Sequence, residues 1–460
     1  MASEASVASH DALWHLVALG VLSGSHAPLG WHPEQVKSPA KVAIIDTSVA
    51  IGHPNLRDAI LDELCFDLVS TRDGAFPARD PDCPLGALPL GDAQPVVAGL
   101  PQCKVLLDRL RARLEPDQMP RIGTVRPATA PAFSAHGTAI AGLVGARPVR
   151  VAAAPEVFSL AQNGQLPLPY CGVDPSARLI PISTGFDSDP EQLVLAFLYA
   201  ELVGADVIVL PRGIPDPFRT VPELSNRSIG GRNLGDLIAP CPVPDAQRAL
   251  WAELAELIIK ISLRRPVVCA AGNEFEEFGI YPANLASEDN GVIAVGAVNA
   301  RGAPCCFSPA SDLTVWAPSS DGERFDADEV RLDLSAQDRD PLGIPSDHGS
   351  AVFSGFQVIS TDAPGKGGYT PGNPIDTDKQ LQEYQSLYCR FGGTSAASAI
   401  IGGLLSLGHS LGRVPPGADG IEAKAWLLSN CAPAEPDFPN LRIPTLDGQA
   451  YRRLDLAGTP

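Results

Sequence analysis

The chain has 460 residues, 45% of them hydrophobic and 19% charged, with 43 Gly and 45 Pro. This is a globular, turn-rich composition on a chain long enough to bury a large core, and it excludes a disordered protein. A formal net charge of -19 repels phosphate backbones and argues against nucleic acid as a partner.

Residues 11–24, DALWHLVALGVLSG, are a short apolar run bordered by Asp11 and interrupted by His15, with no Lys or Arg before it. The pattern predicts an amphipathic helix packed on the domain, not an export signal. Residues 41–45 form a β-branched run that stops at Asp46-Thr47-Ser48, the signature of a buried strand ending in a polar turn. Residues 66–130 carry many Pro, Gly and Asp around one predicted helix at 104–114. Ala135-His136-Gly137-Thr138 then opens a helix of small apolar residues. Strands are predicted at 178–182 and 206–210, with a helix at 190–203 between them. An amphipathic helix at 246–263 feeds a strand at 266–270, and another strand follows at 291–298. One helix opens at Thr394 and a last one spans 422–429.

No run of eighteen apolar residues occurs, so no membrane-spanning helix is expected. The 10 Cys are scattered, without a CxxC pair or a His cluster, which speaks against zinc and thioredoxin chemistry. No metal and no cofactor are expected. Reduced thiols and the absence of an export signal predict a cytoplasmic location.

Strands separated by helices of this length predict an α/β fold, a mostly parallel sheet covered on both faces. In such sheets the working groups lie beyond the carboxyl ends of the strands. Asp46 and Asn273 each follow an apolar strand, whereas His136 and Ser395 each stand at the start of a helix rich in Ala and Gly. One Asp after one strand is commonplace. Four such residues, each in this context, point to a common site.

These four blocks resemble the subtilisin-like serine peptidases. VAIIDTSVAIGHPNL matches the block that carries the acid, at Asp46; SAHGTAIAGLVGA matches the block of the base, at His136. VVCAAGNE matches the block of the oxyanion amide, at Asn273, and FGGTSAASAI that of the nucleophile, at Ser395. GVDPSARLIPI from Gly172, VIVLPRG from Val207, the segment from Tyr281 and VWAP from Val315 continue the resemblance in order, over residues 40–430 with interruptions. Sedolisin-like peptidases use a Glu as base and an Asp at the oxyanion hole, where this chain has His136 and Asn273. The α/β-hydrolases order their triad Ser, acid, His around a Gly-x-Ser-x-Gly elbow, and neither feature is present.

The resemblance implies a three-layer subtilisin-like fold, with a catalytic domain over 40–432 enlarged by insertions near 58–130, 147–171 and 319–356. Residues 1–39 would be an N-terminal extension with one helix. Residues 433–460 would be a C-terminal extension, packed on the domain or partly flexible. The implied activity is a serine endopeptidase with Ser395 as nucleophile, acting on a restricted protein or peptide substrate. A catalytically silent binding module, or an esterase or transpeptidase on the same acyl-enzyme scaffold, are the alternatives. Gly213, Arg212, Gly272, Glu274, Ile280 and Thr394 fall where the family meets its substrate.

The first pocket has two readings. Glu274, with Glu276 and Glu277 nearby, would favour a basic substrate residue. Ile280 stands where the family keeps Gly at the pocket floor, and a branched side chain there would favour a small apolar one. Three departures accompany it: Ser48 replaces a Gly, Ala399 a Pro and Pro211 a Ser. Pro211 has no N–H, so it either removes one substrate hydrogen bond or faces away. The insertions read as a lid or docking surface, or as tolerated surface loops. The second lacks alternating oxygen ligands, against calcium there. No foldase prodomain is visible before the first strand, which leads to an expectation of control by a regulatory protein partner or by N-terminal processing.

Overall fold

A computed structural model describes residues 12–69, 90–114, 135–152, 165–185, 189–216, 228–229, 232–233, 245–273, 277–300, 302–305, 307–309, 311–319, 323–324, 344–345, 351–353, 357–363, 368–369, 387–432 and 440–452. The readings of Glu274 and Glu276, and those of large parts of the three insertions, lie outside these residues.

A seven-stranded sheet forms the centre. Its strands are β1 (Lys41–Asp46), β2 (Phe66–Asp67), β5 (Arg178–Ser183), β6 (Val207–Leu210), β7 (Val267–Ala270), β8 (Val292–Val298) and β9 (Val315–Pro318). Between β2 and β5 the chain forms a separate antiparallel pair, β3 (Val149–Ala152) and β4 (Gln165–Leu168). The order across the sheet is β9-β8-β7-β6-β1-β5-β2, and every pairing in it is parallel. Such strands are covered on both faces, which explains why β1, β6, β7 and β8 read as uninterrupted apolar runs. In β1 and β5, Asp46 sits opposite Ser183. The chain places β5 on one side of β1 and then crosses to lay β6 on the other. That reversal opens a crevice at the carboxyl ends of the central strands.

Two helices cover one face: α3 (His136–Gly145) and α6 (Gly393–Ser410) pack on each other, and α6 also lies along β6, β7, β8 and β9. On the other side α2 (Pro101–Arg113), α4 (Pro190–Leu202) and α5 (Asp245–Ser262) pack together. The last helix is α7 (Gly420–Ser429). Small residues let the inner helices come close. A Cβ on Gly402 would lie 2.4 Å from Val209 Cγ2, which brings α6 down onto β6. An antiparallel pair, β10 (Val358–Thr361) and β11 (Tyr388–Phe391), braces α3 from outside. The Ser360 and Thr361 hydroxyls donate to the carbonyls of Ala139 and Thr138.

The three-layer α/β architecture expected from the sequence is observed. Most element boundaries agree within three residues, and α2 starts earlier than predicted because Pro101 is well suited to the first helical position. The helix predicted at 11–24 is only α1 (Trp14–Ala18). Gly20 adopts φ +68°, and Val21 and Leu22 turn back to donate to Leu16 O. Trp14, His15, Leu16 and Ala18 are all buried, so this is an interior turn, not an amphipathic surface helix. Leu16 and Leu19 near the start join the same core as Leu441, Ile443 and Leu446 near the end.

Gly142 in α3 faces β10 so closely that a Cβ would lie 2.2 Å from Thr361 Oγ1, 2.5 Å from Ser360 Oγ and 2.9 Å from Thr361 N. Gly142→Ala forces the strand away from the helix and should cost about 1–3 kcal/mol. A fall in the thermal unfolding midpoint, measured by calorimetry in a Ser395→Ala background, checks this.

Candidate active site

Asp46 is the last residue of β1, and its side chain has no solvent exposure. A carboxylate in such a place must be paired. Its oxygens accept from Thr47 N at 2.6 Å and Thr47 Oγ1 at 3.1 Å, and both lie 2.9 Å from His136 Nδ1. Burial alone would raise the Asp46 carboxyl. The His136 charge and hydrogen bond, the Arg212 charge and the Thr47 N–H outweigh it and hold the group below the ordinary carboxylate range. An ionised carboxylate only accepts, so Nδ1 carries a proton directed at Asp46, and Nε2 is the ring nitrogen left to exchange one.

His136 is the first residue of α3 and is 5% exposed. Thr47 joins this helix to β1: its Oγ1 accepts from Gly137 N at 2.9 Å. The glycine is required at that point, since a Cβ on it would lie 2.2 Å from Thr47 O. Phe391, which ends β11, meets the imidazole edge-on with centroids 5.2 Å apart. The chain then runs through Gly392 into α6, so the segment that packs on the imidazole also leads to Ser395.

Ser395 lies in the first turn of α6, 9% exposed. Its hydroxyl donates to Pro211 O at 2.8 Å, and among the described residues it makes no hydrogen bond to His136. Catalytic hydrogen bonds are commonly long or unmade before substrate arrives. Gly393, at φ +74°, begins the same turn, where a Cβ would come within 3.0 Å of the Asn273 amide.

Asn273 follows β7 by three residues. Its Oδ1 accepts from Thr394 N at 2.8 Å, with Thr394 Oγ1 3.1 Å away. An N–H donor on that atom fixes the amide orientation, oxygen toward Thr394 and NH2 on the other side. Thr394 is fully buried, and its hydroxyl also accepts from Gly272 N at 2.9 Å. It therefore braces the two loops instead of lining a surface that a substrate could touch.

Arg212, expected beside a substrate, turns inward and is 4% exposed. Its guanidinium donates to Thr184 Oγ1 and Gly185 O just past β5, and Thr184 N donates to Asp46 O at 2.7 Å. The correction has a physical cause: the buried Asp46 needs positive charge nearby. Gly213 and Gly272 face each other across a slot that holds the Ile280 side chain. Ser48 Oγ lies 2.8 Å from Ser183 Oγ, tying the β1 turn to β5. Three features escaped the sequence: the Phe391 contact, the double role of Thr47 and the Pro211 carbonyl as resting partner of Ser395. The contacts of Phe391 with His136, of Gly137 with Thr47 and of Ser395 with Pro211 are long-range, with no local pattern to announce them. Among the described residues no cluster of His, Cys, Asp or Glu is arranged to hold a metal ion.

A buried carboxylate–imidazole pair, a serine at a helix start and an oriented amide lie at the carboxyl ends of the parallel sheet, the arrangement that the resemblance to subtilisin-like serine peptidases implies. The Subtilase family model (peptidase S8) matches residues 37–430, and the chain belongs to that family. No curated protein matches the sequence. Among solved structures it is similar to a lanthipeptide protease, at 14% identity and TM-score 0.50, over 95% of this chain and 92% of that one. It is similar to the nisin leader peptidase NisP from Lactococcus lactis at 16% identity and TM-score 0.48, over 96% and 94%. The serine protease of Aeromonas sobria is 14% identical with TM-score 0.46, over 94% of this chain. This chain spans 59% of the length of that protease. At these identities the likenesses concern the fold alone.

The cytoplasmic location expected from the sequence does not stand. That expectation rested on the residues before the first strand and on the scattered spacing of the cysteines, and neither reports a compartment. Cys65, Cys103, Cys171, Cys269, Cys389 and Cys431 are free thiols, and no helix among the described residues is long and apolar enough to cross a membrane.

The folded Asp46 carboxyl titrates below its unfolded value of about 3.9. Its pairing therefore stabilises the protein above about pH 4 and loses that effect as pH falls through the depressed folded value. Thermal unfolding between pH 2 and 6, in a Ser395→Ala background, should show a shallower acid loss of stability for Asp46→Asn than for the parent. Equal slopes would mean that Asp46 is not the depressed group.

Proposed function

We propose that the chain is a serine endopeptidase that cleaves peptide bonds through an acyl-enzyme on Ser395. One observation carries this reading: a fully buried Asp46 fixes Nδ1 of His136, leaving the other ring nitrogen basic. The imidazole then takes the Ser395 proton as Oγ leaves Pro211 O and bonds to the substrate carbonyl carbon. Asp46 stabilises the imidazolium as it forms without itself taking the proton. The carbonyl oxygen becomes an oxyanion, to which the Asn273 amide and the Ser395 backbone N–H donate. The imidazolium returns its proton to the departing amine, and the C–N bond breaks. A water, deprotonated by the same imidazole, attacks the ester and releases the acid with Ser395 restored.

The catalytic unit in this proposal spans 40–432, with 1–39 and 433–460 as flanking extensions, and its substrate is a restricted set of proteins or peptides. A regulatory protein partner fits the same proposal. A silent binding module keeps the fold but needs no basic imidazole; an esterase or transpeptidase shares the acyl-enzyme and differs in the acceptor.

A fluorophosphonate should label the protein once, on Ser395, as read by peptide mass mapping, and Ser395→Ala should abolish both labelling and peptide hydrolysis. Asn273→Ala should lower kcat about 100- to 1,000-fold with a smaller effect on KM. A folded protein that neither labels nor cleaves would favour the binding module. Ligated or ester-derived products in place of hydrolysed peptides would favour the acyl-transfer reading.

A further inference from the structure

We infer that Ile280 closes the first specificity pocket, so that the residue supplying the scissile carbonyl must be small, glycine or alanine. The inference rests on the proposed endopeptidase and names its substrate class.

Strands β6 and β7 are neighbours in the sheet, and the segments leaving them, Pro211 to Gly213 and Ala271 to Asn273, carry groups of the proposed site. Ser395 Oγ is held at Pro211 O, and Asn273 supplies the amide at the other segment. An acyl carbon bonded to Ser395 Oγ with its oxygen toward Asn273 has its α-carbon between these two segments. The side chain on that α-carbon, two bonds from the reacting carbon, is then directed into the slot between them.

Both walls of the slot are glycine. Gly272 has φ +114°, a conformation that L side chains rarely adopt. The space that two bare walls would leave is already taken. A Cβ on Gly213 would lie 2.4 Å from Ile280 Cδ1, and one on Gly272 would lie 2.7 Å from Ile280 Cγ2 and 3.3 Å from its Cδ1. One isoleucine thus reaches from wall to wall in van der Waals contact with both.

The plug is anchored on both sides. Ile280 N donates to Ala271 O at 2.8 Å, and Ile214 N donates to Tyr281 O at 2.9 Å, so the Ile280–Tyr281 segment is stitched to both walls. Tyr281 is itself buried. Branching at Cβ restricts χ1, so the side chain has few other positions to adopt. Ile280 is half-buried, as expected of a floor with only a shallow space above it. A methyl group fits such a space, whereas a benzyl, isobutyl or guanidinopropyl group requires the isoleucine to leave. A pocket that contains an extra four-carbon side chain discriminates by more than the 10- to 200-fold that one methylene gives.

The test compares kcat/KM over peptides that differ only in the residue before the scissile bond (Gly, Ala, Leu, Phe or Arg), for the parent and for Ile280→Gly. The parent should cleave after Gly or Ala at least about 100-fold better than after Phe, Leu or Arg. Ile280→Gly should raise the Phe-to-Ala ratio at least about 10-fold. A parent that cleaves best after a large or basic residue overturns the inference, as does an Ile280→Gly profile that matches the parent. Inactivation by diphenyl aminophosphonates with methyl or benzyl side chains reads the same pocket without turnover. Ile280→Val, a smaller change, guards against misfolding of the glycine variant and should shift the ratio in the same direction. Fluorophosphonate labelling of Ser395 runs alongside. Labelled protein with the wrong preference sinks the pocket assignment alone, whereas unlabelled protein with no cleavage sinks the endopeptidase and the pocket together.

Discussion

A carboxylate with no access to water has to be compensated on the spot, and the centre of this molecule is organised around that requirement. Asp46 ends an interior strand of a parallel sheet, buried completely. Its compensation comes from several elements: Thr47 in the following turn, His136 at the start of α3, and the Arg212 charge from the segment after β6. Each of these fixes something else. Thr47 receives Gly137 N and so seats α3 against β1. Arg212 clamps the end of β5 through Thr184. The need to pair one charge thereby ties together the carboxyl ends of three adjacent strands, β6, β1 and β5.

The surroundings of Ser395 are built by a second, independent set of contacts. Thr394 is bonded to Gly272 and to Asn273, so the start of α6 and the end of the β7 loop move as one piece. That brace sets the amide direction and holds Ser395 over Pro211 O. Phe391 bridges the two sets through its contact with the imidazole. In the resting arrangement the Ser395 hydroxyl donates to a backbone carbonyl, Pro211 O.

Much of this was legible in the sequence because it is local. The apolar runs at 41–45 and 266–270 end where the strands end, and the Ala- and Gly-rich segments after His136 and Ser395 are the close-packed helices of the inner layer. Gly137 and Gly393 were visible as glycines beside the proposed groups, and the contacts give their reason. What remained hidden is non-local. β10 and β11 are four-residue strands joined only through long-range pairing, so no periodicity marks them. Arg212 was expected beside a substrate, since nothing in VIVLPRG announces a buried partner on another strand. Ile280 could be read in two ways from the sequence; the close approach of its methyl groups to both glycine walls favours the small-residue reading over the basic one.

The most direct test of convergence is the crystal structure of the protein after reaction with a peptidyl phosphonate. The account predicts phosphorus bonded to Ser395 Oγ, the Oγ–Pro211 hydrogen bond broken, and a phosphoryl oxygen about 2.7–3.1 Å from both the Asn273 amide nitrogen and Ser395 N. A phosphoryl oxygen directed away from Asn273, or an adduct on another residue, would contradict it.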